Sequence, residues 1–178
     1  MRTLIIDKID LRDRFQKINN FEQLRHMVQH QDIFKGLLRV AADAADADDA
    51  SVFLLNADEE HLEVVLNASD RDDFVGFKQP LNQGIVSMVV WNEHAISIAN
   101  VSENEMFDDT ADRTFGYTTR SMTALPLVLQ GVVVGVMTAV NKRDVEEFTD
   151  DDMRQLGSIA TAITHTLHSQ ILDQLVKV

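Results

Sequence analysis

From residue 21 to residue 45 the apolar side chains Leu24, Met27, Val28, Phe34, Leu37, Leu38 and Ala41 recur at short, mostly helical intervals, which predicts one long amphipathic helix. Leu11, Phe15 and Ile18 continue that spacing upstream, with Asn19 and Asn20 as a break, so residues 1–20 are expected to form a helical extension. At the other end Leu156, Ala160, Ile163, Leu167 and Ile171 share one stripe of a helix predicted over 150–176, which Thr149 or Asp150 caps. Between the helices the period changes. Short strand patterns lie at 51–56, 61–67 and 95–98, and a shorter helix is predicted over 83–91. Two longer apolar runs, 122–129 and 132–140, flank Gln130-Gly131 and read as an antiparallel hairpin. Gly135 inside the second run predicts a backbone that something approaches closely, a pocket floor being one candidate. Strands bracketed by helices give an α+β fold: an antiparallel sheet with the terminal helices on one face and connecting helices over the other.

Composition narrows the class. A chain of 178 residues with 45% apolar content suits one domain with an ample core. Its 29 acidic against 16 basic residues give a net charge of −13, which repels phosphate backbones and anionic membrane surfaces, so neither nucleic acid nor membrane is an expected partner. The absence of Cys excludes disulfides, thiolate metal sites and a cysteine nucleophile. No apolar run approaches the ~18 residues of a membrane span, and a cytoplasmic protein is expected.

Candidate chemistry gathers in the second half. The long acidic loop over 100–120 follows a strand and suits a lid over a ligand site. Thr118, Thr119 and Arg120 at its end supply hydroxyls and a guanidinium for polar ligand groups; alternatively the threonines cap a turn and Arg120 pairs with Asp109 or Asp112. The turn over 81–86 opens a helix whose free N–H groups form an anion site, although helix initiation alone explains its glycine. Lys142 at a strand end and Asp152 in the next helix are placed to meet across their loop, as a partly exposed structural tie worth ~0–1 kcal/mol. The aspartate-rich stretch over 42–50 lacks the glycine and distal glutamate of a calcium loop and reads as a solvated helix end. His26 and His30, His165 and His168, and the isolated His61 and His94 lack a third ligand at any familiar spacing, so no metal is expected. No nucleophile elbow, phosphate-binding glycine loop or paired catalytic carboxylates are present, and the chain is not expected to be an enzyme.

Asn141, Lys142, Phe148 and, after three residues, Asp152 resemble the signature of the GAF domain family of small-molecule sensors, in its cyclic-nucleotide-binding type from phosphodiesterases and some adenylyl cyclases. Met153 replaces the Glu that ends that signature. The resemblance extends through LNQGIVSMVVWNEHAISIANV, FGYTTRSM, ALPL and SVFLL, covering about residues 21–175. It implies a single domain over 21–178, a central six-stranded antiparallel sheet, a lid over a pocket, and terminal helices that pair with a second subunit. It also implies ligand-facing roles for Ser51, for Thr118 and Thr119 on the lid, and for Ile85 and Val86 at a helix start. Phe115 stands where the nucleotide binders have a threonine, Thr138 where some have a glutamate, and Leu66-Asn67 where a Phe-Asp pair meets the base. Each missing purine partner costs about 1–3 kcal/mol, so an unidentified small molecule is expected ahead of cyclic AMP or cyclic GMP. Branches of the family that reduce methionine sulfoxide or attach bilins use cysteine and are closed to this chain. The expectation is a dimeric, cofactor-free regulatory domain in signal transduction; a ligand-free dimerisation or partner-docking module stays open.

Overall fold

The computed structural model describes residues 20–145 and 147–177; the expected extension over 1–20 lies, apart from Asn20, outside them. Six antiparallel strands form one sheet in the order β3-β2-β1-β6-β5-β4: β1 (Ala47–Asn56), β2 (His61–Asn67), β3 (Lys78–Pro80), β4 (Ile96–Ile98), β5 (Met122–Leu129) and β6 (Val132–Lys142). Helices α1 (Phe21–Gln29), α2 (Asp32–Ala44) and α5 (Asp150–Val176) cover one face, while α3 (Ile85–Asn92), which packs on β5 and β6, and the short α4 (Thr110–Phe115) lie on the other.

The expected helix over 21–45 is two helices. The apolar spacing jumps from Val28 to Phe34, and Gln31 breaks out to extended backbone as the N-cap of α2. This break lets α1 pack on β1 and β2 while α2 packs on β1 and α5. The second correction concerns 42–50: α2 ends at Ala44, Asp46 turns the chain in the left-handed region, and Ala47 to Ala50 already belong to β1, pairing with β6. Ala45, Ala47 and Ala50 are buried, so only part of this stretch is solvated.

The helix-side core joins Leu24, Val28, Phe34 and Leu38 to Leu156, Ile163, Leu167 and Ile171 of α5 and to inward residues of the strands. On the opposite face a smaller cluster of Phe53, Leu62, Val64, Val86, Val89 and Val136 lies beneath the connecting segments. A bulge in β2 decides which residues reach that face. Val52 pairs with Leu66 and Phe53 with Val64, so Val65 is the extra residue and the alternation shifts by one position. Val65 and Leu66 therefore both join the helix-side core, and Asn67 turns to the other face.

Gly135 is closely approached, but not by a ligand. A Cβ there would lie 2.2 Å from the Phe53 backbone oxygen, so β1 itself fills the space. Gly135→Ala is expected to cost about 1–3 kcal/mol of stability by overpacking, read as a lower urea midpoint; an unchanged midpoint would mean that the strands part without cost.

Candidate functional site

A cavity of about 90 Å³ opens between the sheet and the segments carrying α3 and α4, room for several water molecules on that measure. Its floor is the outward face of the sheet: Asp49, Ser51 and Phe53 of β1, Asn67 of β2, and Thr138 and Val140 of β6. Strand alternation puts Asp49, Ser51 and Phe53 on one side. Ile85 and Val86 form a wall at the start of α3. The lid over 100–120 folds across as expected and contributes Phe107, Asp108, Ala111, Asp112 and Phe115.

Of the residues singled out from sequence, Ser51, Asn67, Ile85, Val86, Phe115, Thr119 and Thr138 line this cavity. Leu66 does not, because the β2 bulge turns it into the helix-side core. Thr118 does not either: its carbonyl accepts a hydrogen bond from Asn141 Nδ2 at 2.9 Å, so its backbone anchors the lid. Arg120 reaches neither Asp109 nor Asp112; its exposed guanidinium lies 3.7 Å from Asp48.

The polar edge of the cavity is a short network. Asn67 Nδ2 donates to Ser51 Oγ at 2.8 Å, and the Ser69 backbone N–H donates to Asp49 Oδ1 at 3.1 Å, with the Ser69 hydroxyl 2.8 Å from Asp49 Oδ2. Thr119 gives both its N–H and its hydroxyl to Asp112, at 2.7 and 2.8 Å. Asp108 accepts from Gln79 and Gln83 side chains at 3.0 and 2.9 Å. Burial alone would raise the Asp108 carboxyl, but bonds from Thr110, Gln79 and Gln83 hold it below its usual range and keep it ionised. Arg71, at the cavity edge, stacks 4.6 Å over the Tyr117 ring and donates to the Phe115 carbonyl. The Tyr117 phenol is pushed up by burial and by the Asp48 and Asp49 carboxylates, so it stays neutral.

Phe53, Phe74, Phe77 and Phe115 make edge-to-face and stacked contacts with centroids 5.4 to 6.2 Å apart. Phe115 thus occupies part of the site without closing it. Sequence reasoning missed Asp49, Asp108, Arg71, Phe74 and Phe77. Phe74 and Phe77 fall in a segment without strand or helix period, Asp49 sits in an aspartate-rich stretch, and the sequence offers Asp112 only as a partner for Arg120.

Beside the cavity stands the Asn141 hub. Asn141 is 1% exposed in the left-handed region, where Asn is among the better tolerated residues. Its Oδ1 accepts from the backbone N–H of Arg120 at 2.6 Å and of Ser121 at 3.3 Å, and its Nδ2 donates to the Tyr117 hydroxyl and the Thr118 carbonyl. The next residue, Lys142, lies 2.7 Å from Asp152 and donates to the Ala45 carbonyl at 2.9 Å. Asp152 and Thr149 complete a capping box at the start of α5. The expected tie is present and lies deeper than a surface pair: side-chain exposures are 11% for Lys142, of intermediate burial, and 8% for the buried Asp152. Its removal belongs to the buried class of ion pairs.

The GAF domain model matches residues 29–167. The chain belongs to the GAF domain family. Solved GAF domains share its fold: that of an Acinetobacter phosphoenolpyruvate-protein phosphotransferase superposes with a TM-score of 0.66 at 20% identity, covering 98% of this chain and 99% of that one. The equivalent domain from Coxiella burnetii gives 0.69 at 15% identity, covering 92% of this chain and 94% of that one. Among curated relatives, the probable 3',5'-cyclic phosphodiesterase pde-5 of Caenorhabditis elegans is 26% identical over 155 residues, 78% of this chain and 20% of that protein. The cone cGMP-specific 3',5'-cyclic phosphodiesterase subunit alpha' of Bos taurus is 38% identical over 73 residues, 41% of this chain and 8% of that protein. The GAF chain therefore spans a fifth or less of these enzymes' lengths. Among the described residues no acidic, His or Cys group is arranged to hold a metal ion, and no helix is long and apolar enough to cross a membrane. His26 and His30 stack on each other at 4.1 Å.

Proposed function

We propose that this GAF domain is a regulatory small-molecule sensor in signal transduction, which binds its ligand under the 100–120 lid and passes the change to α5. The observation that carries this reading is the adjacency of Asn141 and Lys142: one fastens the lid and the other, one residue on, fastens the start of α5. A ligand that favours one lid position biases the helix only through different affinities for two arrangements, and this path supplies a short mechanical link between them. The role is binding rather than catalysis. Homodimerisation through the terminal helices accompanies it, supported by exposed Ile33 and Val40 one heptad apart on α2 and by Leu172 and Val176 on α5. A cytoplasmic location accords with the lack of cysteine.

A cyclic nucleotide is a second reading, favoured by the names of the relatives and by the signature residues Asn141, Lys142, Phe148 and Asp152. A thermal-shift screen of cyclic AMP, cyclic GMP and common metabolites tests both. A ligand at about 100 times its Kd stabilises by ~2.7 kcal/mol, or about 5–10 °C for a chain of this size. Silence across the panel would sink the sensor in favour of a ligand-free dimerisation or docking module.

A further inference from the structure

We infer that the cavity selects a small organic cation, such as a compound with a substituted ammonium head, over neutral and anionic molecules of the same shape. The inference names the ligand class for the sensor reading and rests on it.

Three carboxylates, Asp49, Asp108 and Asp112, line one small cavity. Among the described residues none has an ion-pair partner; each is held by neutral donors, as described above. Asp49 is only 6% exposed. The one cationic side chain in the lining, Arg71, already stacks on Tyr117. A buried charge without a counter-charge is costly, and a low-dielectric cavity concentrates its field.

The aromatic wall points to the same class. Phe74, Phe77 and Phe115 surround the lid side, and ring faces carry the negative end of the quadrupole that attracts ammonium groups. Independently, Thr138 is 3% exposed and lines the cavity, yet its hydroxyl makes no hydrogen bond with the described residues. The hydroxyl is therefore open to the cavity and available to a ligand atom. At the start of α3, where an anion would be favoured, the protein supplies its own: Asp108 lies beside Gly84, with its Cβ 3.6 Å from where a Gly84 side chain would begin.

The test is calorimetric titration of the whole chain with choline, its uncharged carbon isostere 3,3-dimethylbutan-1-ol, the anionic 4,4-dimethylpentanoate, and cyclic GMP. Choline is expected to bind about tenfold or more tightly than the neutral isostere, with the anion weaker still. Asp49→Asn and, separately, Asp112→Asn are expected to shrink the ratio of choline to isostere affinity. Circular dichroism confirms that each variant is folded, and either folded variant suffices. Equal binding of choline and its isostere, or tighter binding of cyclic GMP, overturns the cation assignment and leaves the cavity as a ligand site. No heat with any of the four overturns the cation assignment alone; the sensor reading falls only with silence across the wider thermal-shift panel.

Discussion

Replacing Lys142 by Met is expected to lower the unfolding free energy by about 3–5 kcal/mol, the cost of leaving a buried carboxylate without its cation. That is a large share of the 5–15 kcal/mol typical of a folded domain. Asp152 would keep its bonds from Thr149, but Lys142 Nζ is its only cationic partner among the described residues. Asp152→Asn strands the charge the other way and is expected to cost a similar amount. The double variant should recover part of the loss, since two uncharged groups no longer demand each other. Urea melts of the four proteins give the coupling directly; two single variants within 1 kcal/mol of the parent would show that the clasp carries no weight.

The same pair sets the acid behaviour. Burial would raise the Asp152 carboxyl, but the Lys142 side chain and the Thr149 bonds outweigh it and hold it below its ordinary range. A depressed carboxyl contributes stability that is complete above its unfolded value and is lost as the pH falls through the folded one. The parent should therefore lose this contribution only below about pH 4. In Lys142→Met burial still disfavours the Asp152 carboxylate and its main opponent is gone, so the variant's deficit should be greatest at neutral pH and narrow in acid.

Asn141→Ala is the second large expected loss, about 3–5 kcal/mol. The buried Ser121 N–H and three part-buried groups at the end of the lid lose their partners together, at up to roughly 1–3 kcal/mol for each one left unsatisfied. Alanine also dislikes the left-handed backbone at this position. Asn141→Gly separates the causes, since glycine adopts that conformation freely; it should regain about 1 kcal/mol while leaving the lid unfastened. Hydrogen exchange at residues 117–121 should accelerate in both variants. If exchange there stays at the parent's rate, Asn141 does not hold the lid, and the proposed route from ligand to helix loses its first link.

The Lys142 clasp was legible as a pairing but not as a magnitude. Strand end and helix cap are local signals, so Lys142 and Asp152 could be brought together from their spacing. Their burial depends on α2 ending nearby, with Ala45 offering its carbonyl. The cavity residues divide in the same manner. Ser51, Thr119 and Thr138 were reached through a family resemblance, and the structure places all three on the lining. Leu66 and Asn67 were named together, and one bulged residue separated them.

Local pattern alone determined the hairpin, the last helix and the α+β class: two apolar runs, buried on both faces, flank the Gln130-Gly131 turn, and burying one face of a helix writes a repeat into the chain. It did not reveal β3, whose three residues are too few to show a period and whose strand character comes from pairing with β2. Nor did it reveal the turn at Gln31, which lets the first helix reach β2 while the second packs between β1 and α5. Only the tertiary structure decided that Asp49, Asp108 and Asp112 share one cavity. Residues so far apart in sequence meet through strand register and lid closure, and no local pattern records such a meeting.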